Sequence, residues 1–112
     1  EVAEVGLSTH TPEQIDEAAR EPITYLAIGP VFGTSTKATG YEAVGLERVA
    51  RAVAGARGRP VVAIGGITLD QAPAVIAAGA SAVAVITDLL ATGRPEARVR
   101  QYLDRLRAGQ PL

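Results

Sequence analysis

The chain has 112 residues, a formal net charge of −1, 47% hydrophobic residues and only 4% aromatic ones. That composition supports one domain with a modest core of Val, Ile, Leu and Ala, and it excludes a disordered chain. Mixed charge argues against a nucleic-acid or membrane surface, no apolar run is long enough for a transmembrane helix, and the lack of cysteine excludes disulfides and thiolate chemistry.

Cysteine usage also fits a cytoplasmic protein. The chain opens on Glu1 and contains no methionine, so a piece of a longer protein is expected ahead of a processed product. The stretch from Val2 to Leu7 reads as a first strand. Thr11-Pro12-Glu13-Gln14 then opens a helix, with Thr11 as N-cap, Pro12 at the first helical position and Gln14 closing a capping box. Ile15, Ala18 and Ala19 supply its apolar stripe.

Thr24 to Ile28 reads as the second strand, ended by Gly29-Pro30. From Val31 to Tyr41 periodicity disappears and small polar residues dominate, and a loop this long inside a compact βα domain is usually functional. Leu46, Val49, Ala50 and Val53 mark a second helix, stopped by Gly55 and the Gly58-Arg59-Pro60 turn. Val61-Val62-Ala63-Ile64 reads as a strand buried on both faces, as in parallel sheets. Gly65-Gly66 then turns the chain, and Thr68 with Gln71 reads as a second capping box, echoing Thr11 and Gln14. The helix that follows carries Ala72, Val75 and Ile76 and ends at Gly79. Ala82 to Ile86 is the fourth strand, and Val99, Tyr102, Leu103 and Leu106 form one face of the last helix.

Four parallel strands, near residues 2–7, 24–28, 61–65 and 82–86, are therefore expected with helices between them. A closed eight-stranded barrel takes about 250 residues. The choice lies between four βα units of a TIM-type (βα)8 barrel, that is, a half barrel, and a small open doubly wound sheet. Phosphate signals on the last two strands favour the barrel.

A buried strand, a glycine turn and a new helix start make a place for an anion, most often a phosphate. A side chain at Gly66 is then expected to block the phosphate while lowering stability only modestly. Lys37 ends a Thr34-Ser35-Thr36-Lys37 run that suits a polyphosphate, and as a loop lysine it also suits plain solvation. Ser8 follows a strand and either binds a ligand or satisfies the turn. His10, the single histidine, is an acid–base candidate or a structural group. Glu13, Asp70 and Asp88 read as first-turn charges that favour the helix dipole. No carboxylate pair has metal spacing and no nucleophile–base pair is present. These residues alone give a phosphate-binding βα domain and no reaction.

Gly6-Leu7-Ser8-Thr9-His10-Thr11, the run Gly29-Pro30-Val31-Phe32-Gly33-Thr34-Ser35-Thr36-Lys37, Val61 to Ile67, and Ala84-Val85-Ile86-Thr87 together resemble the second half of thiamine-phosphate synthase. The resemblance implies half of a (βα)8 barrel that joins a hydroxymethylpyrimidine diphosphate to a thiazole phosphate and releases pyrophosphate. It implies that Ser8 and Lys37 contact the pyrimidine diphosphate, and that Thr34, Ser35 and Thr36 line the thiazole phosphate site. Gly66, Ile86 and Thr87 would hold that phosphate through backbone N–H groups, with Thr87 standing where the family usually has serine. The family's Mg2+ is implied as cofactor, its aspartate ligands lying in the first half of the barrel, with none in this chain. This half alone is expected to be inactive, and to self-associate or pair with the missing half barrel. The alternatives are a thiazole tautomerase of the same family, with a histidine at the place of His10, and a non-catalytic phosphate-binding half barrel.

Overall fold

A computed structural model describes residues 4–33 and 44–108. Its four strands are β1 (Gly6–Thr9), β2 (Tyr25–Ile28), β3 (Val61–Ile64) and β4 (Ala82–Ala84). They form one sheet in the order β1-β2-β3-β4, every pair parallel, with Ser8 beside Ala27, Ala27 beside Val62 and Val62 beside Ala82. Five helices accompany them among the described residues: α1 (Pro12–Ala18), α2 (Gly45–Gly55), α3 (Ala72–Ala77), α4 (Thr87–Leu90) and α5 (Pro95–Ala108). The expected βα alternation is present. A helix starts at Thr87, with Asp88 in its first turn as expected; it is α4, a single turn set between the last strand and the last long helix.

Leu26, Ile28, Val61 and Ala63 are buried, and they pack with Ile15 of α1, Val49 and Ala52 of α2, and Val75 of α3 in one core. The alternate strand positions are more open: Tyr25, Ala27 and Val62 are half-buried and Ile64 is exposed. β3 is therefore covered on one face only, whereas the sequence pattern led us to expect burial on both. Short, all-apolar strands look alike whether the second face is covered or open. On α2 the buried stripe runs through Val49, Ala52 and Ala56, and Ala50 is exposed.

The helix ends show which local signals governed. Thr11 accepts a hydrogen bond from the Gln14 N–H at 3.1 Å, while Gln14 Oε1 accepts from the Thr11 N–H at 3.2 Å. That is the complete capping box. Thr11→Ala should cost about 1 kcal/mol, read as a lower denaturant midpoint with unchanged m-value; an unchanged midpoint would mean that the box contributes nothing. The second expected box is only half formed. Gln71 Oε1 accepts from both the Thr68 N–H and the Thr68 hydroxyl at 3.1 Å, yet α3 begins at Ala72, after a turn. The cause is Pro73. A helix capped by Thr68 would need an N–H at that position, and proline has none. At its other end α3 closes as expected, with Gly79 at φ +113° and its N–H donating to Ile76 O, and Ala80 N–H donating to Val75 O.

Candidate functional site

Beyond the C-terminal ends of β3 and β4 the chain leaves a cavity of about 370 Å3. Gly65, Gly66 and Thr68 line it from the β3 side, Ile86, Thr87 and Asp88 from the β4 side, and Pro30 and Gly33 from the segment after β2. Gly66, Ile86 and Thr87 are thus brought together as the sequence indicated. Ser8 is not; it lies on β1, in a separate hollow with Val5, Leu7 and Glu17. Thr34, Ser35, Thr36 and Lys37 lie outside the described residues, starting one position after the cavity-lining Gly33.

The two glycines have φ values of +101° and +68°, which L side chains rarely adopt. A Cβ on Gly65 would stand 2.6 Å from Pro30 Cα, and one on Gly66 would stand 2.6 Å from Phe32 O and 2.7 Å from Gly33 O. Phe32 N–H donates to Gly65 O at 3.1 Å and Val31 N–H to Ile64 O at 3.0 Å, so the pairing of β2 with β3 runs on into this turn. The close approach that Gly66 permits is therefore to the protein's own backbone. This corrects the expectation of a modest stability effect: a side chain here has to displace two carbonyl groups.

Across the cavity, α4 begins directly at Thr87. Its first-turn N–H groups have no partner within this single turn. Asp88 lies just behind them. Its Oδ2 accepts from Leu69 N–H at 2.9 Å and from the Tyr102 hydroxyl at 2.5 Å, and its Oδ1 accepts from Arg98 Nη2 at 3.1 Å. Burial would raise the Asp88 carboxyl, but the bonds from Tyr102, Arg98 and Leu69, with the Arg98 charge, outweigh it and hold the group below its ordinary value. Burial pushes the Tyr102 hydroxyl up, reinforced by its bond to Asp88 and by the carboxylate charge. For a depressed carboxyl, the stabilising contribution is present above the ordinary value of 3.8 and is lost as pH falls below it. We therefore expect stability to decline more steeply with acid in the wild type than in Asp88→Asn below about pH 4, by denaturant titration. Parallel declines would contradict this.

His10 is half-buried, and its Nδ1–H donates to Gly29 O at 2.5 Å, while Arg48 Nη1 donates to His10 O at 2.7 Å. The ring thus ties the end of β1 to the segment that leads out of β2. Thr9, also buried, donates from its hydroxyl to Ala27 O. Among the described residues no group of three or more His, Cys, Asp or Glu side chains could hold a metal ion. The described residues thus do not fit the Mg2+ that the resemblance implies.

A family model described as thiamine monophosphate synthase matches residues 1–89. The chain belongs to that family. Thiamine-phosphate synthase of Koribacter versatilis (strain Ellin345) is 48% identical over 102 residues, which are 91% of this chain and 47% of the relative. That of Rhizobium etli is 42% identical over 99 residues, 88% of this chain and 48% of the relative. The chain thus spans about half the length of the curated relatives it matches. A solved thiamine phosphate pyrophosphorylase from Pyrococcus furiosus superposes with a TM-score of 0.82 at 28% identity, covering 95% of this chain and 50% of that one. The corresponding Bacteroides thetaiotaomicron structure, at 19% identity and a TM-score of 0.64, adds support for the fold alone. The four βα units correspond to half of a thiamine monophosphate synthase barrel, which decides against the open doubly wound sheet. In this family setting the uncovered sheet face is the side that a barrel turns inward.

Proposed function

We propose that the chain is the C-terminal half of a thiamine-phosphate synthase, acting on a hydroxymethylpyrimidine diphosphate and a thiazole phosphate. The observation that carries this is the convergence of the Gly65-Gly66 turn and the start of α4 on one cavity, beside the segment that leads into Thr34-Ser35-Thr36-Lys37. Backbone N–H groups near Gly66, Ile86 and Thr87 hold the thiazole phosphate. Thr34, Ser35 and Thr36 line the thiazole site, and Lys37 with Ser8 binds the diphosphate.

In the reaction, the bond from the pyrimidine methylene carbon to the diphosphate oxygen breaks, and the oxygen keeps the electron pair. The electron-rich pyrimidine ring stabilises the methylene cation, and the thiazole nitrogen supplies the pair for the new C–N bond. The protein's share is to place the two reactants, to stabilise the departing charge and to keep water from the cation. The other half of the barrel covers the open sheet face, and this half by itself is inactive. We place the enzyme in the cytoplasm. The complete polypeptide, given both substrates, should release one pyrophosphate per thiamine phosphate formed. Failure with both substrates present, in a folded protein, would overturn the reading, and turnover of a thiazole tautomer alone would assign it to the tautomerase instead.

A further inference from the structure

We propose that Asp88 is a positioning residue for the phosphate site: its carboxylate locks the β3 loop to the start of α4, so that both sides of the cradle keep one spacing. The proposal rests on the phosphate assignment above and adds a residue that touches no substrate.

Backbone pairing of β3 with β4 ends at Ile64 and Ala84. Beyond that pair the two loops diverge around the cavity. Among the described residues, the carboxylate of Asp88 is the hydrogen-bonded link across this gap, reaching Leu69 N–H three positions after Gly66. Asp88 is itself the second residue of α4, adjacent to Thr87, so its position fixes that of the first helical turn. Tyr102 and Arg98, one turn apart on α5, hold the same carboxylate from behind. One side chain therefore gathers the β3 loop, α4 and α5.

The arrangement also answers an electrostatic difficulty. A carboxylate lining a phosphate cavity would repel the ligand. Here the Arg98 guanidinium pairs with it at 3.1 Å, and the Asp88 side chain is only 12% exposed. Its charge is spent on three donors and does not face the cavity unbalanced.

Asp88→Asn keeps the shape but turns one oxygen into a donor. It has to confront Arg98 on one side or the Leu69 N–H on the other, both of which only donate, while the Tyr102 hydroxyl can turn to accept. The test measures KM for each substrate, kcat and the melting temperature in the complete polypeptide, for the wild type, Asp88→Asn and Tyr102→Phe. Asp88→Asn should raise KM for the thiazole phosphate roughly tenfold to hundredfold, while KM for the pyrimidine diphosphate stays within about twofold. Tyr102→Phe, which leaves the carboxylate and its other two donors but also removes the 3.5 Å contact of the hydroxyl with Ile67 O, should give the same split on a smaller scale, about threefold. It carries the test if the asparagine variant fails to fold. Unchanged thiazole KM in a folded variant overturns the proposal. So does a parallel rise for both substrates, which marks a general loosening. A wild type that neither binds nor turns over the thiazole phosphate overturns the phosphate assignment itself, an outcome distinct from both.

Discussion

Gly66→Val should abolish binding of the thiazole phosphate and should also lower stability by about 3 kcal/mol or more, from φ strain and forced backbone movement together. The backbone sits at φ +68°, and the new Cβ would lie 2.6 Å and 2.7 Å from the carbonyl oxygens of Phe32 and Gly33. Neither oxygen is the end of a flexible side chain. One of the two chain segments has to move, and both line the cavity. Alanine at the same position meets the same two oxygens and should behave similarly, which separates this account from one based on side-chain bulk. Denaturant unfolding beside titration with the thiazole phosphate reads both effects. Full stability with lost binding would return Gly66 to the simpler role of making room for a ligand. Full stability with full binding would remove it from the site.

Lys37→Ala should lower kcat/KM of the complete enzyme about tenfold to a thousandfold and raise KM for the pyrimidine diphosphate, since a charge-assisted contact contributes roughly 1.5–3 kcal/mol and somewhat more in a dry site. The expectation comes from the Thr34-Ser35-Thr36-Lys37 run and from the resemblance that run carries. It is strengthened by the placement of Gly33 on the cavity wall. Lys37→Arg should recover part of the loss, because the charge returns with a different geometry. Unchanged kinetics in the alanine variant would make Lys37 a solvated loop residue.

The architecture was legible because each strand is a short apolar run, and α1 and α3 carry local start or stop signals that act within four or five residues. Thr11 with Gln14 and Gly79 needed no tertiary information, whereas Gly55 is the last residue of α2 and not its stop: the left-handed turn comes at Arg57 and Gly58, and a Cβ on Gly55 would stand 3.1 Å from Ile15 of α1. Where the reading slipped, the deciding partner lay elsewhere. The first strand is β1 at Gly6–Thr9, later than the apolar run suggested, because its register is set by Tyr25–Ile28 and the Thr9 hydroxyl is satisfied by Ala27 O. The Thr68 box was overruled by Pro73, a signal present in the sequence five positions on.

That Gly66, Ile86 and Thr87 share one cavity wall could be read because they follow strand ends directly. The role of Asp88 could not, since its partners Leu69, Arg98 and Tyr102 are 19, 10 and 14 positions away. The available hint was the i, i+4 spacing of Arg98 and Tyr102, which puts a cation and a phenol on one side of the last helix. On that helix Tyr102 is buried, whereas Val99 and Leu103 are 41% and 46% exposed, so half of the expected apolar face remains open in this chain.

The proposed site holds the thiazole phosphate between the β3 loop and the start of α4. Its most direct test is to follow backbone amide resonances of the complete protein during titration with the thiazole phosphate and with the corresponding unphosphorylated alcohol. The account predicts that the phosphate ester shifts the Gly66 and Thr87 amides most strongly, and that the alcohol leaves them nearly unmoved. Equal shifts from the two compounds, or shifts centred on the β1 edge around Ser8, would contradict it.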